Sequence, residues 1–99
     1  MNWVPTVTVA RPDNVANGIR VFPNPTKQLV NVDFRSATDG CTIQVISQSG
    51  KIMAQRKIAP GTTGLQVFDL EKYVNGLYFI TVLNNGKSPN LQFKVLLNK

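Results

Sequence analysis

The sequence of 99 residues contains no histidine and only one cysteine. Ser-His and Cys-His catalytic pairs need imidazole, and the usual zinc sites need imidazole or several thiolates, so these classes of site are excluded. Cys41 has no partner for an internal disulfide, and we expect it to be a small buried side chain where a strand starts. The carboxylates form no loop of the EF-hand type; they are Asp13, Asp33, Asp39, Asp69 and Glu71. We therefore expect no enzyme, no metal ion and no cofactor.

The sequence also lacks any apolar run long enough to cross a bilayer, so it predicts no membrane-spanning segment. Residues 1–4 show no basic region followed by an apolar one, and we expect no secretory signal in this sequence. The protein is then either cytosolic or a piece of a larger exported chain. A hydrophobic content of 42% is ordinary for a globular chain, and the length suits one domain with one core.

Acidic residues are few beside the basic ones, 5 against 11, which gives a net charge of +6. The basic residues are scattered with few aromatics between them, which argues against a nucleic-acid-binding surface. After Glu71 there is no acid, but there are four lysines: Lys72, Lys87, Lys94 and Lys99. These lysines either protect sheet edges from aggregation or attract an acidic partner.

Short alternations of apolar and polar residues, separated by Pro, Gly and Asn, predict about seven strands and no long helix. In residues 29–35, for example, Val30, Val32 and Phe34 alternate with polar residues. The other predicted strands are residues 19–22, 41–47, 51–58, 65–70, 77–83 and 91–97. Their number and spacing indicate an all-β, Ig-like antiparallel β-sandwich, with a small barrel as the alternative. We predict an upstream tail and linker at residues 1–18 and the sandwich at residues 19–99.

Residues 77–83 are apolar apart from Thr81, which predicts a strand at the centre of a sheet and covered on both faces. Asn75 and Gly76 precede this strand, and glycine adopts a positive φ at little steric cost. Tyr78 follows at the start of the strand. We expect its ring in the core and its hydroxyl bonded to the backbone of the preceding loop, as at the tyrosine corner of Ig-like sandwiches.

Five segments in a particular order resemble a known family. They are IRVFPNPT, VNVDF, TIQVISQSGKIM, GLYFITV and FKVLLNK. Together they resemble the C-terminal sorting domain, type A-like, of the type nine (Por) secretion system of Bacteroidetes, over residues 19–99. The family often has IYDLSGR where this sequence has VISQSGK, a difference that concerns the chemistry of one turn.

The resemblance implies an Ig-like sandwich that is the address of a larger cargo for passage from the periplasm across the outer membrane. The cargo then stays at the cell surface or is secreted. The implied partners are the N-terminal cargo domain, the outer-membrane translocon and a sortase-like peptidase that removes the domain. The candidate recognition residues are Pro23, Asn24, Pro25, Gly76, Tyr78, Lys94 and Lys99.

The C-terminal segment, residues 91–99, is the best candidate for direct contact with the machinery. We expect it to carry unpaired lysines and to offer an edge for strand addition. The alternative is ordinary core packing through Phe93 and Val95.

Two other functions stay open from the residues. One is a carbohydrate-binding or adhesive sandwich with Trp3 and Tyr73 exposed, and the other is a structural spacer.

Overall fold

A computed structural model describes residues 18–85 and 90–99, together with the backbone of two short strands upstream. The described residues form strands and turns without any helix, and therefore without a helix that could cross a membrane. In chain order the strands are β1 (Val7–Val9), β2 (Val15–Ala16), β3 (Ile19–Phe22), β4 (Leu29–Phe34), β5 (Cys41–Ser47), β6 (Ile52–Ile58), β7 (Gly64–Asp69), β8 (Gly76–Asn84) and β9 (Asn90–Leu97).

The strands form two sheets, one in the order β1-β9-β8-β5-β6 and the other in the order β2-β3-β4-β7. The seven longer strands, β3 to β9, match the seven predicted from the sequence to within a residue or so at each end. All pairs among them are antiparallel. The predicted all-β sandwich is confirmed, and the alternative of a closed barrel is wrong because the two sheets remain separate.

The core lies between the inner faces of the two sheets. On β4, Val30, Val32 and Phe34 are fully buried while the residues between them are partly exposed. On β9, Phe93 and Val95 are likewise fully buried. Burying one such side chain stabilises the fold by about 1.5–3 kcal/mol, so period-two alternation fixes which face of each strand points inward.

The prediction for the run in β8 is half right. β8 lies between β5 and β9, inside its sheet, and its inward residues Tyr78, Ile80 and Val82 are buried. Coverage of both faces is wrong, because Leu77 and Phe79 on the outer face are only partly buried. In a two-layer sandwich each sheet has one inner face, and no further layer of described residues covers the outer face of β8.

Cys41 lies at the first residue of β5 and is fully buried, as predicted. Burial raises the pKa of its thiol, and a hydrogen bond with Thr38 offsets this only in part. A thiol that resists ionisation in an apolar site is chemically inert. Cys41 is therefore a packing residue.

The two short strands extend the sheets upstream of β3. β1 pairs in parallel with β9, a pairing that the sequence pattern does not indicate, and β2 forms a small antiparallel pair with β3. Both lie within residues 1–18, the predicted tail and linker. The domain boundary after residue 18 stays a prediction, and these pairings favour a sandwich that begins further upstream.

Candidate functional site at one end of the sandwich

The strand register brings three sequence segments to the same end of the sandwich. β3 ends there, β4 and β8 begin there, and β9 ends there, because Phe22 pairs with Asn31 and Gly76 pairs with Leu97. We call this region the motif end and define it as residues 23–28, 70–76 and 96–99. It contains five of the seven predicted recognition residues. Tyr78 lies two residues beyond it in β8, and Lys94 lies elsewhere on β9.

The Pro-Asn-Pro segment is attached to the end of β9. Oδ1 of Asn24 accepts a hydrogen bond from the backbone N–H of Leu96 at 3.0 Å. Thr26 continues the attachment, since its N–H donates to the carbonyl of Leu96 at 2.8 Å and its carbonyl accepts from the N–H of Asn98 at 2.9 Å. Pro23 and Pro25 are exposed and have no N–H to donate, so the pairing falls to the residues between and after them.

Thr26 connects this segment to the rest of the motif end. Its side chain is 2% exposed, and its hydroxyl donates to the carbonyl of Leu29 at 2.5 Å and accepts from the N–H of Gln28 at 3.3 Å. The carbonyl of Gln28 in turn accepts from the N–H of Leu70 at 2.8 Å. The buried hydroxyl of Thr26 thus fixes the turn at residues 26–29, and the backbone of this turn bonds to residue 70 at the start of the loop before β8.

Tyr78 forms the predicted corner. Its side chain is 3% exposed, and its hydroxyl donates to the carbonyl of Val74 at 2.6 Å. Burial raises the pKa of Tyr78, and the neighbouring Tyr73, with ring centroids 5.8 Å apart, raises it further. The structural prediction for Tyr78 is confirmed. The ring belongs to the core, and the hydroxyl holds the loop that precedes β8.

Gly76 is the first residue of β8 and has a φ of 154°. A Cβ atom at this position would meet no atom within 4 Å. The requirement for glycine is therefore conformational and not a matter of space, since L residues with a side chain rarely adopt such a φ. The predicted positive φ at Gly76 is confirmed.

Lys99 ties the chain end to the loop before β8. Its ammonium donates to the carbonyls of Glu71 at 2.8 Å and of Tyr73 at 2.6 Å, and its backbone N–H donates to Oδ1 of Asn75 at 3.0 Å. The expectation that Lys99 is unpaired is therefore wrong. The carbonyls of Glu71 and Tyr73 lie in a loop and have no partner strand, so they need another hydrogen-bond donor. The ammonium of Lys99 is that donor. Lys94 lies elsewhere, exposed on the outer face of the five-stranded sheet.

The predicted open edge at the last strand is also wrong. β9 lies between β8 and β1, and at its end Thr26 forms a parallel bridge with Leu97. β1 and the Pro-Asn-Pro-Thr segment thus occupy the side of β9 that strand addition would use.

A family model for the secretion system C-terminal sorting domain matches residues 20–97. The chain belongs to this family. The match runs from β3 to the last residue of β9 and so includes most of the motif end. The resemblance to the sorting domain of the type nine secretion system is confirmed. A search of curated proteins finds no match.

Two residues of the sorting domain that hold the motif end were not predicted as site residues. Thr26 follows the Pro-Asn-Pro segment, and at Asn75 the sequence indicates only a turn. Threonine and asparagine next to proline or glycine commonly bond to nearby backbone, and that signal indicates local capping. It does not reveal that the partner of Asn75 is Lys99, which lies 24 residues away.

The described part of the sorting domain shows no arrangement of groups that is typical of catalysis. Its described residues contain no cluster of three or more metal-ligating side chains. A cleft of about 230 Å³ lies between residues 47–49 and 74–78, and Tyr78 is the one titratable residue in its lining. Tyr73 is half-buried and bonds through its hydroxyl to the carbonyl of Met53 at 3.1 Å, so it is not an exposed platform for a sugar. Trp3 lies outside the described residues.

Proposed function

We propose that this sorting domain is a non-catalytic secretion signal that directs a larger cargo across the outer membrane through the type nine secretion system. The cargo passes through the periplasm and ends at the cell surface or in the medium. The observation that carries the proposal is the family match over residues 20–97, which spans both sheets of the sandwich.

The secretion machinery, in this proposal, recognises the folded domain and not an extended peptide. Support comes from how the motif residues are used. Asn24, Gly76 and Tyr78 hold the motif end together through a backbone N–H, a special φ and a backbone carbonyl. These three residues maintain a shape, and exposed neighbours such as Pro23 and Pro25 form its surface.

The partners in this proposal are the N-terminal cargo domain, the outer-membrane translocon and a sortase-like peptidase that removes the sorting domain after passage. The part of the chain upstream of the sandwich connects it to the cargo. Attachment of the cargo to anionic lipopolysaccharide after removal belongs to the same proposal. No step of it requires catalysis by the sorting domain.

The test is export of a fluorescent reporter. The reporter carries an ordinary N-terminal secretory signal and the complete 99-residue chain at its C-terminus, and it is expressed in a bacterium that has the type nine system. We expect fluorescence in the medium or at the cell surface. The same reporter should stay in the periplasm in an isogenic strain without the translocon, and so should a reporter without the domain. Equal export in both strains would contradict the proposal.

Recognition of the fold is tested at Asn24. Asn24→Ala removes the oxygen that accepts the N–H of Leu96, whereas Asn24→Asp keeps an acceptor at that place. We expect export of the reporter to decline with Tm in both variants and to decline more for alanine. Export lost at an unchanged Tm would instead mean that the machinery contacts the Asn24 side chain itself.

A further inference from the structure

The outer face of the five-stranded sheet carries an apolar patch that the fold itself does not use. Ile46 pairs with Ile52 on one side and with Phe79 on the other, and Leu77 pairs with Leu96. Paired residues point to the same face, so these five side chains lie together, and we call them the outer patch. Ile52 is 51% exposed and Leu96 is 43% exposed. Apolar groups gathered on one exposed face are typical of interaction sites.

The charge around the outer patch has one sign. β5, β6, β8 and β9 contain no aspartate or glutamate, and their basic residues are Arg56, Lys57 and Lys94. Lys94 is exposed and pairs with Phe79, which places a positive charge beside the patch. Asp33 and Asp69 lie in β4 and β7 of the other sheet.

The outer patch is continuous with the motif end. Leu96 contributes its side chain to the patch, while its backbone N–H and carbonyl hold Asn24 and Thr26. Leu77 follows Gly76 directly and is the first outward residue of β8 beyond the loop. A partner that contacts the motif end can therefore extend over the patch without a gap.

We propose that the outer patch docks a protein of the secretion machinery, one whose surface has an apolar centre and a carboxylate that faces Lys94. This inference rests on the proposed function and names the surface that is read. The patch crosses four adjacent strands, so it spans about 15 Å at the usual strand spacing. An apolar centre with polar and charged residues at its edge is the usual anatomy of a specific protein interface.

The number of basic residues favours a protein over an anionic membrane as the occupant. Lys57 and Lys94 point outward from this face. Arg56 instead lies over the ring of Phe68 on the opposite sheet, with its guanidinium carbon 4.1 Å from the ring centroid. Attachment to an anionic membrane surface usually takes about four to eight basic residues, more than this face has.

The decisive variant is the pair Ile52→Thr and Leu96→Thr in the reporter fusion. Threonine keeps the β-branched preference for strands while it removes apolar contact area. The matched control is Leu65→Thr with Val67→Thr on the outer face of the four-stranded sheet. These residues are 54% and 42% exposed, against 51% and 43% in the patch. We expect about tenfold less export for the patch variant and near-normal export for the control.

A charge variant provides a second arm that changes little apolar surface. Lys94→Glu should also reduce export, while Lys94→Arg should retain it, because the proposed partner carboxylate needs a cation there. Melting curves of the purified domains accompany each variant. If the Tm of the patch variant is well below that of its control, its loss of export can come from unfolding. The Lys94 variants then provide the test. Normal export of Lys94→Glu then overturns the proposal, and reduced export with a normal melt supports it.

The outcomes separate this inference from the proposed function. If the unchanged fusion is exported equally without the translocon, the proposed function is wrong. If the unchanged fusion depends on the translocon but the patch variant is exported normally, the docking surface is wrong. An equal loss of export in the patch variant and in the control also overturns the proposed docking surface. Binding of the isolated domain to phosphatidylglycerol vesicles that the patch variant abolishes would make a membrane the occupant and overturn the protein partner.

Discussion

The two ends of the sandwich both contain backbone hydrogen bonds between segments, but they differ in how far side chains join one segment to another. At the motif end, side chains reach from one segment to the backbone of another. Asn24 accepts from Leu96, and Lys99 donates to the carbonyls of Glu71 and Tyr73. These bonds depend on a particular residue type at a particular position.

The opposite end, formed by residues 35–40 and 59–63 with Asn85, is joined mainly through backbone groups. The N–H of Thr38 donates to the carbonyl of Thr62, and the N–H of Gly61 donates to the carbonyl of Thr38. The N–H of Asn85 donates to the carbonyl of Gly40. Backbone bonds need a conformation and tolerate many residue types. Most of the predicted recognition residues lie at the motif end, where side chains form more of the bonds between segments.

The largest expected effect comes from deleting residues 93–99, which removes the part of β9 that the motif end holds. Phe93, Val95 and Leu97 are fully buried, and the loss of each such side chain costs about 2–5 kcal/mol. The sum is comparable with the whole stability of a domain of this size, about 5–15 kcal/mol. We expect no cooperative thermal transition by circular dichroism. A sharp melt would show that the sandwich closes without this strand.

A matched pair of threonines compares the two ends directly. Thr26→Val removes a buried hydroxyl that bonds to Leu29 and Gln28. Thr62→Val removes a more exposed hydroxyl that donates to the carbonyl of Ala59 at 2.7 Å. We expect a loss of about 1–3 kcal/mol at Thr26, where polar groups are left buried, and less than about 1 kcal/mol at Thr62. Urea unfolding measures both, and equal losses would remove the distinction between the ends.

Tyr78→Phe should cost about 1 kcal/mol at neutral pH, because Val74 is 78% exposed and its carbonyl can turn to water. Burial raises the pKa of Tyr78, so the folded state holds the phenolic proton more tightly than the unfolded state does. The resulting stabilisation is complete below the unfolded pKa of about 10 and is lost as the pH rises above it. Between about pH 8 and pH 10.5, the unchanged domain should therefore lose more stability than Tyr78→Phe. Parallel losses would place the hydroxyl in water.

The smallest expected effect is that of Lys99→Gln. The ammonium bonds to two carbonyls, but Lys99 is exposed and water can replace it. We expect a change in unfolding free energy within about 0.5 kcal/mol. Asn75→Ala, which removes the acceptor for the Lys99 N–H, serves as the companion variant. A large loss for Lys99→Gln alone would mean that the motif end depends on this charge.

Local patterns were enough to predict most of the fold. The alternation of Val30, Val32 and Phe34 identifies β4 and its inward face, and a glycine two residues before Tyr78 indicates the corner. Both signals lie within a few residues of the structure that they predict. The parallel pairing of β1 with β9 has no such signal, because the two strands are far apart in sequence and alternation within a strand does not identify the strand beside it.

The site was harder to predict than the fold, for the same reason. Lys99 bonds to backbone carbonyls, and a carbonyl is present at every residue, so the sequence does not reveal which ones Lys99 reaches. The outer face of β8 is a second example. An apolar run predicts burial, but it cannot show whether the cover is another part of the same chain or a separate molecule.

The position of β9 also has a consequence for the kinetics of folding. β9 is the last strand in sequence, yet it lies between β1 and β8, and Leu96 bonds to Asn24, which is 72 residues away. Local hairpins such as β5–β6 can form early, whereas contacts between distant residues wait for loop closure and slow the overall rate. The motif end is therefore complete only after β9 docks, so its shape exists only in the folded domain.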